Sequence, residues 1–203
     1  MPIVRGMAAF LRTACTNLTR LSARRPLAYV EPGGELQATV LVQRFGRGQG
    51  EGLLDALVEG DSLLHLDERH TVVDVDDAPV FYVERYRAAS SPSFAVFDPG
   101  GTPLAVYLWQ ETLLVRDGTG APVGRVRGAP ERLELLETGG GLVAQCWRSP
   151  LYVQWLVDDQ WSLTVLEEPR VLDRRALVAL PLVCRLLWSH GVPRERSDAE
   201  MSS

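Results

Sequence analysis

The most constraining stretch of this chain is an almost unbroken apolar run near its C-terminus. From Ala176 to Trp188 every residue is apolar except Arg185. Asp173 precedes the run and Gly191 follows it, which predicts a helix over 173–190. A helix that is apolar on all sides has no face for water, so it belongs in a protein core or a bilayer. Because a bilayer span needs about 20 apolar residues, we expect the rest of the chain to enclose this helix.

Residues 62–166 predict the enclosure, because short hydrophobic strands alternate there with turn sequences rich in Asp and Gly. The predicted turns are Asp76–Pro79, Asp98–Gly101, Asp117–Gly120, Thr138–Gly141 and Asp158–Gln160. Asp supplies side-chain hydrogen bonds and Gly supplies positive φ, so each turn predicts a hairpin. With further strands at Leu36–Phe45 and Leu63–Leu66, the chain has about twelve strands.

So many strands leave exposed edges unless the sheet closes on itself. The predicted fold class is mainly β: a closed antiparallel barrel of about 12 strands that encloses the C-terminal hydrophobic helix, with an N-terminal amphipathic helix. The predicted organisation is a basic amphipathic segment over 1–30, a β-barrel domain over 35–190 and a disordered polar tail over 191–203.

The N-terminal segment carries the main electrostatic signal. Hydrophobic residues recur at helical steps of three and four: Val4, Met7, Leu11, Ala14, Leu18 and Leu21. Residues 1–30 hold five arginines and no acid, whereas the remainder has 16 arginines against 26 acids. Three interpretations stay open: a helix docked on the domain, a helix on an anionic membrane surface, or a targeting segment. The candidate lipid-binding residues are Arg12, Arg20, Arg24 and Arg25.

Composition excludes several classes of function. The acidic body argues against a nucleic-acid partner, since phosphate binding favours a basic surface. The chain has no lysine, which excludes a Walker-A loop, a kinase ATP lysine and Schiff-base chemistry. Cys15, Cys146 and Cys184 form no closely spaced pair, so we expect a reducing compartment. The predicted location is cytoplasmic, with peripheral membrane contact through the basic N-terminal segment.

No catalytic residue, metal ligand or cofactor is predicted. His65 and His70 lie in HLDERH, whose spacing differs from that of HExxH, and we interpret this stretch as an exposed turn rather than a metal site. The glycines of 46–52 run GxGxGxG, which favours a surface loop over a dinucleotide fold.

Arg185 is the one charge within the apolar helix. A buried charge is costly unless it is paired or reaches water. Its side chain is therefore expected either to reach solvent at the barrel end or to make a buried ion pair or a contact with an anionic ligand.

Three segments carry a resemblance: SFAVFDPGGTPLAVYLW, TLLVRDGTGAPVGRVR and WSLTVLEEPRVLDRRALVALPLVCRLLW. Hairpins of this kind followed by an apolar helix resemble the tubby C-terminal-like fold, in its phospholipid scramblase and LURP-one-related branch. The resemblance covers about residues 62–190 and implies a twelve-stranded closed barrel around a central helix. Scramblase-type members also carry a palmitoylated cysteine cluster and an acidic calcium loop. This chain has neither the cluster nor the alternating acids of such a loop.

The resemblance implies a non-enzymatic binding or scaffold module of the scramblase-like or LURP-one-related type, with peripheral binding of anionic membrane lipid. The alternative is a small-ligand carrier or an enzyme that uses a pocket at the barrel mouth. A protein partner within a larger complex is a third possibility.

Overall fold

The computed structural model describes residues 19–22, 27–31, 35–45, 65–87, 92–153 and 156–189. The strands are β1 (Thr19–Ser22), β2 (Ala28–Val30), β3 (Leu36–Arg44), β4 (His65–Asp74), β5 (Pro79–Arg87), β6 (Pro92–Phe97), β7 (Pro103–Trp109), β8 (Leu113–Asp117), β9 (Pro122–Ala129), β10 (Arg132–Glu137), β11 (Leu142–Val153) and β12 (Leu156–Val165). The helix described is α1 (Arg174–Ser189).

The strands form one antiparallel sheet in which chain neighbours are also sheet neighbours from β2 to β12. The short strand β1 pairs with β2 on one side and with β12 on the other, with three registered residue pairs in each case. The prediction of a mainly β, antiparallel fold with one C-terminal helix is confirmed, and α1 agrees with the predicted 173–190 within one residue at each end.

The same turn recurs after β4, β6, β8 and β10. Each turn begins at an acidic residue and has one residue with positive φ three positions later. The residues with positive φ are Asp77 (58°), Gly101 (85°), Gly120 (88°) and Gly140 (83°). The Oδ1 atoms of Asp74, Asp98 and Asp117 accept backbone N–H bonds from their own turns at 2.7–3.0 Å. Asp and Gly therefore form these hairpins for the reasons that made them predictable.

Because neighbouring strands are antiparallel, these turns share one end of the sheet. We call it the turn end, defined by residues 75–78, 98–102, 118–121 and 138–141. At the opposite end Trp109, the last residue of β7, lies edge-on to Trp188 of α1, with ring centroids 5.9 Å apart. We call this the tryptophan end. Since β12 finishes at the turn end, α1 begins there and runs toward the tryptophan end.

The helix α1 forms the core of the protein. Residues 176–184 are buried, and the helix contacts β1, β5, β6, β7, β11 and β12. The largest fully buried side chains around it are Tyr29, Phe81, Phe94, Tyr107, Leu113, Leu133 and Trp161. Asp173 caps the helix by accepting the N–H of Arg175 at 2.8 Å.

Two tyrosines stabilise the first half of α1 from opposite sides. Pro181 lies inside the helix and has no N–H to donate to the carbonyl of Leu177. On either side of Leu177, the carbonyl of Ala176 accepts from the Tyr107 hydroxyl at 2.8 Å, and that of Val178 accepts from the Tyr29 hydroxyl at 3.1 Å. The helix thus continues through its proline while tied to β7 and β2.

Three predictions need correction. The predicted N-terminal amphipathic helix is wrong at Thr19–Ser22, which form β1 because the backbones of β2 and β12 supply hydrogen-bond partners on both sides. The rest of the predicted helix lies outside the described residues. Strand β2 (Ala28–Val30) is also part of the sheet.

The turn predicted at Asp158–Gln160 is also wrong, because these residues belong to β12 and pair with Leu151, Pro150 and Ser149. Finally, HLDERH is not an exposed turn. It is the first part of β4, where pairing with both β3 and β5 turns alternate side chains into the interior.

Candidate functional site

A β-bulge in β4 organises a cluster of charged residues at the tryptophan end. Leu66 pairs with Tyr86 and Glu68 pairs with Arg85, so Asp67 is an extra residue in the ladder. The bulge turns Leu66 to the outer face and Glu68 to the inner face. Bulges re-aim side chains in this way and are frequent beside functional sites.

The inner face is identified by the hydrophobic core. Val72 pairs with Phe81, and both belong to the cluster around α1. Two residues further along β4 and β5, His70 lies opposite Val83, and after two more Glu68 lies opposite Arg85. We call Arg44, Asp67, Glu68, His70 and Arg85 the polar cluster. It occupies the inner face where the apolar core gives way to the tryptophan end.

Glu68 is the hub of the polar cluster. Its carboxylate accepts a hydrogen bond from Arg44 Nε at 3.1 Å and lies 3.2 Å from His70 Nε2. The hydrogen bond with His70 is the main cause that lowers the pKa of Glu68 to about 2, and the charges of Arg85 and Arg44 act in the same direction. Glu68 is therefore ionised although it is 7% exposed.

Arg85 is charge-balanced, but its hydrogen-bonding capacity is not fully used. Its Nη1 lies 3.5 Å from Asp67 Oδ2 and 4.0 Å from Glu68 Oε2. Neither Nη1 nor Nε has a hydrogen-bond partner among the described residues, and the same holds for Nδ1 of His70. Both residues are more than nine-tenths buried. Unpaired buried polar atoms are uncommon in folded proteins, and a functional role is one explanation for them.

A second ionic group lies on the opposite face of the same two strands. Glu84 is completely buried on the outer face and accepts a hydrogen bond from Arg69 Nε at 2.7 Å and another from the Tyr86 hydroxyl. The guanidinium of Arg69 also lies 5.7 Å from the ring centre of Phe45. Apolar neighbours on this face include Leu66, Ala95, Phe97 and Val106. This group has the character of a structural ion pair.

The predicted site residues are not brought into the polar cluster. Arg12, Arg24 and Arg25 lie outside the described residues. Arg20 is in β1, where its backbone is in register with Ser162 and Val30. Arg185 is half-buried on α1 and takes part in an interaction within the fold.

Sequence reasoning missed Glu68 and His70 although a usable signal was present. Glu68, His70 and Val72 alternate with Arg69 and Thr71, which is the period of a strand with one face turned inward. The charged residues of HLDERH are typical of an exposed turn, since charges normally avoid a core. Composition and alternation therefore predict different structures for this stretch.

Two further features of the interior are not sites of chemistry. A cavity of about 10 Å³ between Val115, Val143 and Leu172 has room for about one water molecule. Cys146 and Cys184 are both buried, and burial raises the pKa of Cys184 well above its usual value, which disfavours the reactive thiolate. Within the part of the chain that the structure describes, no group of three or more His, Cys, Asp or Glu residues is arranged to hold a metal ion.

The described residues contain no helix with the length and apolar character that crossing a membrane requires.

Comparison with known proteins gives information on the fold alone. No family model matches the chain, and a search of curated proteins also finds no match. Among solved structures, the X-ray structure of a protein from Arabidopsis thaliana is similar, with a TM-score of 0.52 and 18% sequence identity over 86% of this chain and 93% of that chain. The two proteins therefore share a sheet-and-helix architecture along most of their lengths.

Proposed function

We propose that this protein is a non-enzymatic binding module of the tubby-like fold, of the scramblase-like or LURP-one-related type, that meets anionic membrane lipid peripherally from the cytoplasm. The proposal includes a closed barrel as its working form. Its interior is filled by α1, whose residues 176–184 are buried, so binding is expected at an end or on the outer surface.

The observation that carries the proposal is the attachment of the basic segment to the sheet. β1 lies within residues 1–30 and pairs with both β2 and β12. Arg20 lies in β1, Arg12 precedes it, and Arg24 and Arg25 are in the connection to β2. Basic side chains near a membrane gain about 1 kcal/mol each from anionic lipid.

Two half-buried tryptophans favour the tryptophan end as the part of the molecule that meets the membrane. β1 finishes and β2 begins at the tryptophan end, where Trp109 and Trp188 meet. Trp188 also packs against Trp161, with ring centroids 5.7 Å apart. Tryptophan favours the boundary between water and lipid because its ring is apolar and its N–H is polar.

Vesicle co-sedimentation tests the lipid proposal. A deletion of residues 1–25 is unsuitable, because it would remove β1. We instead compare the full chain with a variant carrying Arg12→Gln, Arg24→Gln and Arg25→Gln. The full chain is expected to bind vesicles that contain phosphatidylserine and not vesicles of phosphatidylcholine alone. Loss of three basic side chains should weaken binding by about 100-fold.

A matched control removes three exposed arginines elsewhere: Arg116→Gln, Arg125→Gln and Arg132→Gln. This variant has the same net charge as the test variant and should bind almost as well as the full chain. Equal indifference of the full chain to both vesicle types would overturn the lipid proposal, and so would equal losses in the two triple variants.

The closed form is tested by two deletions that differ only in β1. Removal of residues 1–17 spares β1, whereas removal of residues 1–22 leaves β2 and β12 without their shared partner. If closure stabilises the molecule, only the longer deletion should lower the midpoint of thermal unfolding substantially. Equal midpoints would contradict a closed working form.

A further inference from the structure

The polar cluster contains unused donors that face the interior at the tryptophan end. Arg85 Nε and Nη1 make no hydrogen bond among the described residues, and the residue is only 6% exposed. Nδ1 of His70 is also unpaired there, while Nε2 of the same ring faces Glu68 at 3.2 Å. A buried donor without an acceptor is unfavourable. A ligand whose oxygens accept from these donors would therefore gain more binding free energy than it would from an exposed arginine, which already donates to water.

We propose that the polar cluster is a binding site for an oxyanion, a phosphate, sulfate or carboxylate group, in which Arg85 and His70 are the ligand-binding residues. Arginine suits this role because its guanidinium presents planar donors that match such oxygens. The site does not depend on the lipid proposal, which rests on different residues.

The charges of the cluster are consistent with an added anion. Arg44 and Arg85 balance Asp67 and Glu68. An imidazole that donates from both nitrogens keeps Nε2–H on Glu68 and offers Nδ1–H to the ligand.

The charged groups of the site come from three strands. Strand β3 contributes Arg44, β4 contributes Asp67 and Glu68, and β5 contributes Arg85. Two of these groups are acids and two are permanent cations, so their charges add no net repulsion against a small anion.

Solvent reaches the polar cluster on the β3 side. On β3, Val42 lies opposite His70 and Arg44 lies opposite Glu68. Val42 is 49% exposed, and the side chain of Arg44 is 81% exposed. A small anion can therefore approach the cluster from β3 without disturbance of the apolar core.

The probe is sulfate, because its oxygens accept hydrogen bonds from planar guanidinium donors. Sulfate replaces chloride at constant ionic strength while the Arg85 Nε–H and His70 ring signals are followed by NMR. We expect saturable shifts in the full chain and an affinity at least about tenfold weaker in Arg85→Gln. If Arg85→Gln does not fold, Arg85→Lys keeps the charge but not the planar donors, and should also weaken binding.

Two controls separate ligand contact from stability and from surface charge. Val83→Ala removes core packing from the same face of β5, so it should lower the unfolding midpoint and leave sulfate affinity unchanged. Arg127→Gln removes an exposed arginine paired with Glu134 on the outer face at 3.1 Å, and affinity should again be unchanged. Absence of saturable shifts in the full chain overturns the proposal, as does equal weakening by Arg85→Gln and Arg127→Gln.

The source of the oxyanion is identified by competition. The variant carrying Arg12→Gln, Arg24→Gln and Arg25→Gln is used here, so that vesicle binding through these arginines does not interfere. If sulfate displaces this variant from vesicles that contain phosphatidic acid, the natural ligand class is a lipid phosphomonoester. If the variant binds sulfate but not these vesicles, the ligand class is a soluble oxyanion. Arg85→Gln should leave phosphatidylserine binding through the N-terminal arginines intact, so the failure of one proposal is distinguishable from the failure of the other.

Discussion

The buried polar groups at the two ends of the interior differ in charge and in how completely they are hydrogen-bonded. Near the turn end, the carbonyls of Ala176 and Val178 accept neutral hydrogen bonds from Tyr107 and Tyr29. At the tryptophan end, buried Arg85 and His70 retain nitrogens without partners in the described part of the chain. One region is satisfied and uncharged, whereas the other is charged and incompletely satisfied.

This difference separates stability from binding within one core. Neutral donors on buried carbonyls stabilise α1 without the desolvation penalty of ions. Burial raises the pKa of Tyr29 and of Tyr107 far above the usual range, so both hydroxyls are protonated donors at neutral pH. The ions of the polar cluster are desolvated at a cost in free energy. Its donors without partners are the groups that a ligand would contact.

The largest effect on stability is expected from the apolar packing of α1 near the turn end. Leu177→Ala removes a completely buried side chain from α1 and should lower the free energy of unfolding by about 2–5 kcal/mol. Urea unfolding measures this change. Leu166→Ala, at a site that is 48% exposed, should cost less than about 0.5 kcal/mol. Similar losses at the two positions would contradict the assignment of α1 as the core.

The contribution of the polar cluster to the free energy of unfolding should depend on pH in the acid range. Because the folded pKa of Glu68 is lowered from 4.5 to about 2, its contribution to stability is complete above pH 4.5 and is lost as pH falls through 2. The contribution is of the order of 3 kcal/mol at most. Glu68→Gln should therefore lower stability at neutral pH and flatten its pH dependence between 4.5 and 2, as measured by urea unfolding at each pH.

Glu134→Gln is the matched control for this acid effect. Glu134 pairs with Arg127 and Arg132, whose side chains are more than half exposed, and exposed pairs contribute little. If both glutamine variants changed the acid dependence equally, the special role of the polar cluster would be contradicted.

The contrast also explains how much was predictable. The turn end follows local rules, since Asp98 and Asp117 bond to their own turns and the apolar run predicts α1. The polar cluster depends on partners distant in sequence: Glu68 meets Arg44 and Arg85 only through strand register and the bulge at Asp67. Neither a bulge nor a register has a local signature comparable to a turn.

The same reasoning accounts for the errors at β1 and β12. Helical spacing of apolar residues before Leu21 is a local pattern, but the strand Thr19–Ser22 is made by backbone pairing with β2 and β12. At Asp158–Gln160, an Asp-Asp pair typical of turns lies within a strand because its β11 partners continue the ladder. In both places non-local hydrogen bonds override local preference.

A smaller effect is expected from the neutral hydrogen bonds on α1. Tyr107→Phe keeps the ring and removes the donor to Ala176, which should cost about 1 kcal/mol, and Tyr29→Phe should cost a similar amount. Thermal unfolding measures both. Tyr82→Phe, on the half-buried outer face of β5, is the control and should be nearly neutral. A loss at Tyr82 as large as at Tyr107 would show that the helix carbonyls are not the relevant partners.

The smallest effect concerns the turns themselves, and two adjacent glycines isolate it. Gly140 has φ +83°, whereas Gly139 has no such restriction, and a Cβ at either position would have no neighbour within 4 Å. Gly140→Ala should therefore cost about 1 kcal/mol through backbone strain alone. Gly139→Ala should be neutral or slightly stabilising because it reduces the freedom of the unfolded chain. Equal losses for the two variants in urea unfolding would show that the positive φ of Gly140 is not what stabilises the β10–β11 turn. The turn end would then not be explained by the conformational preferences of its turn residues.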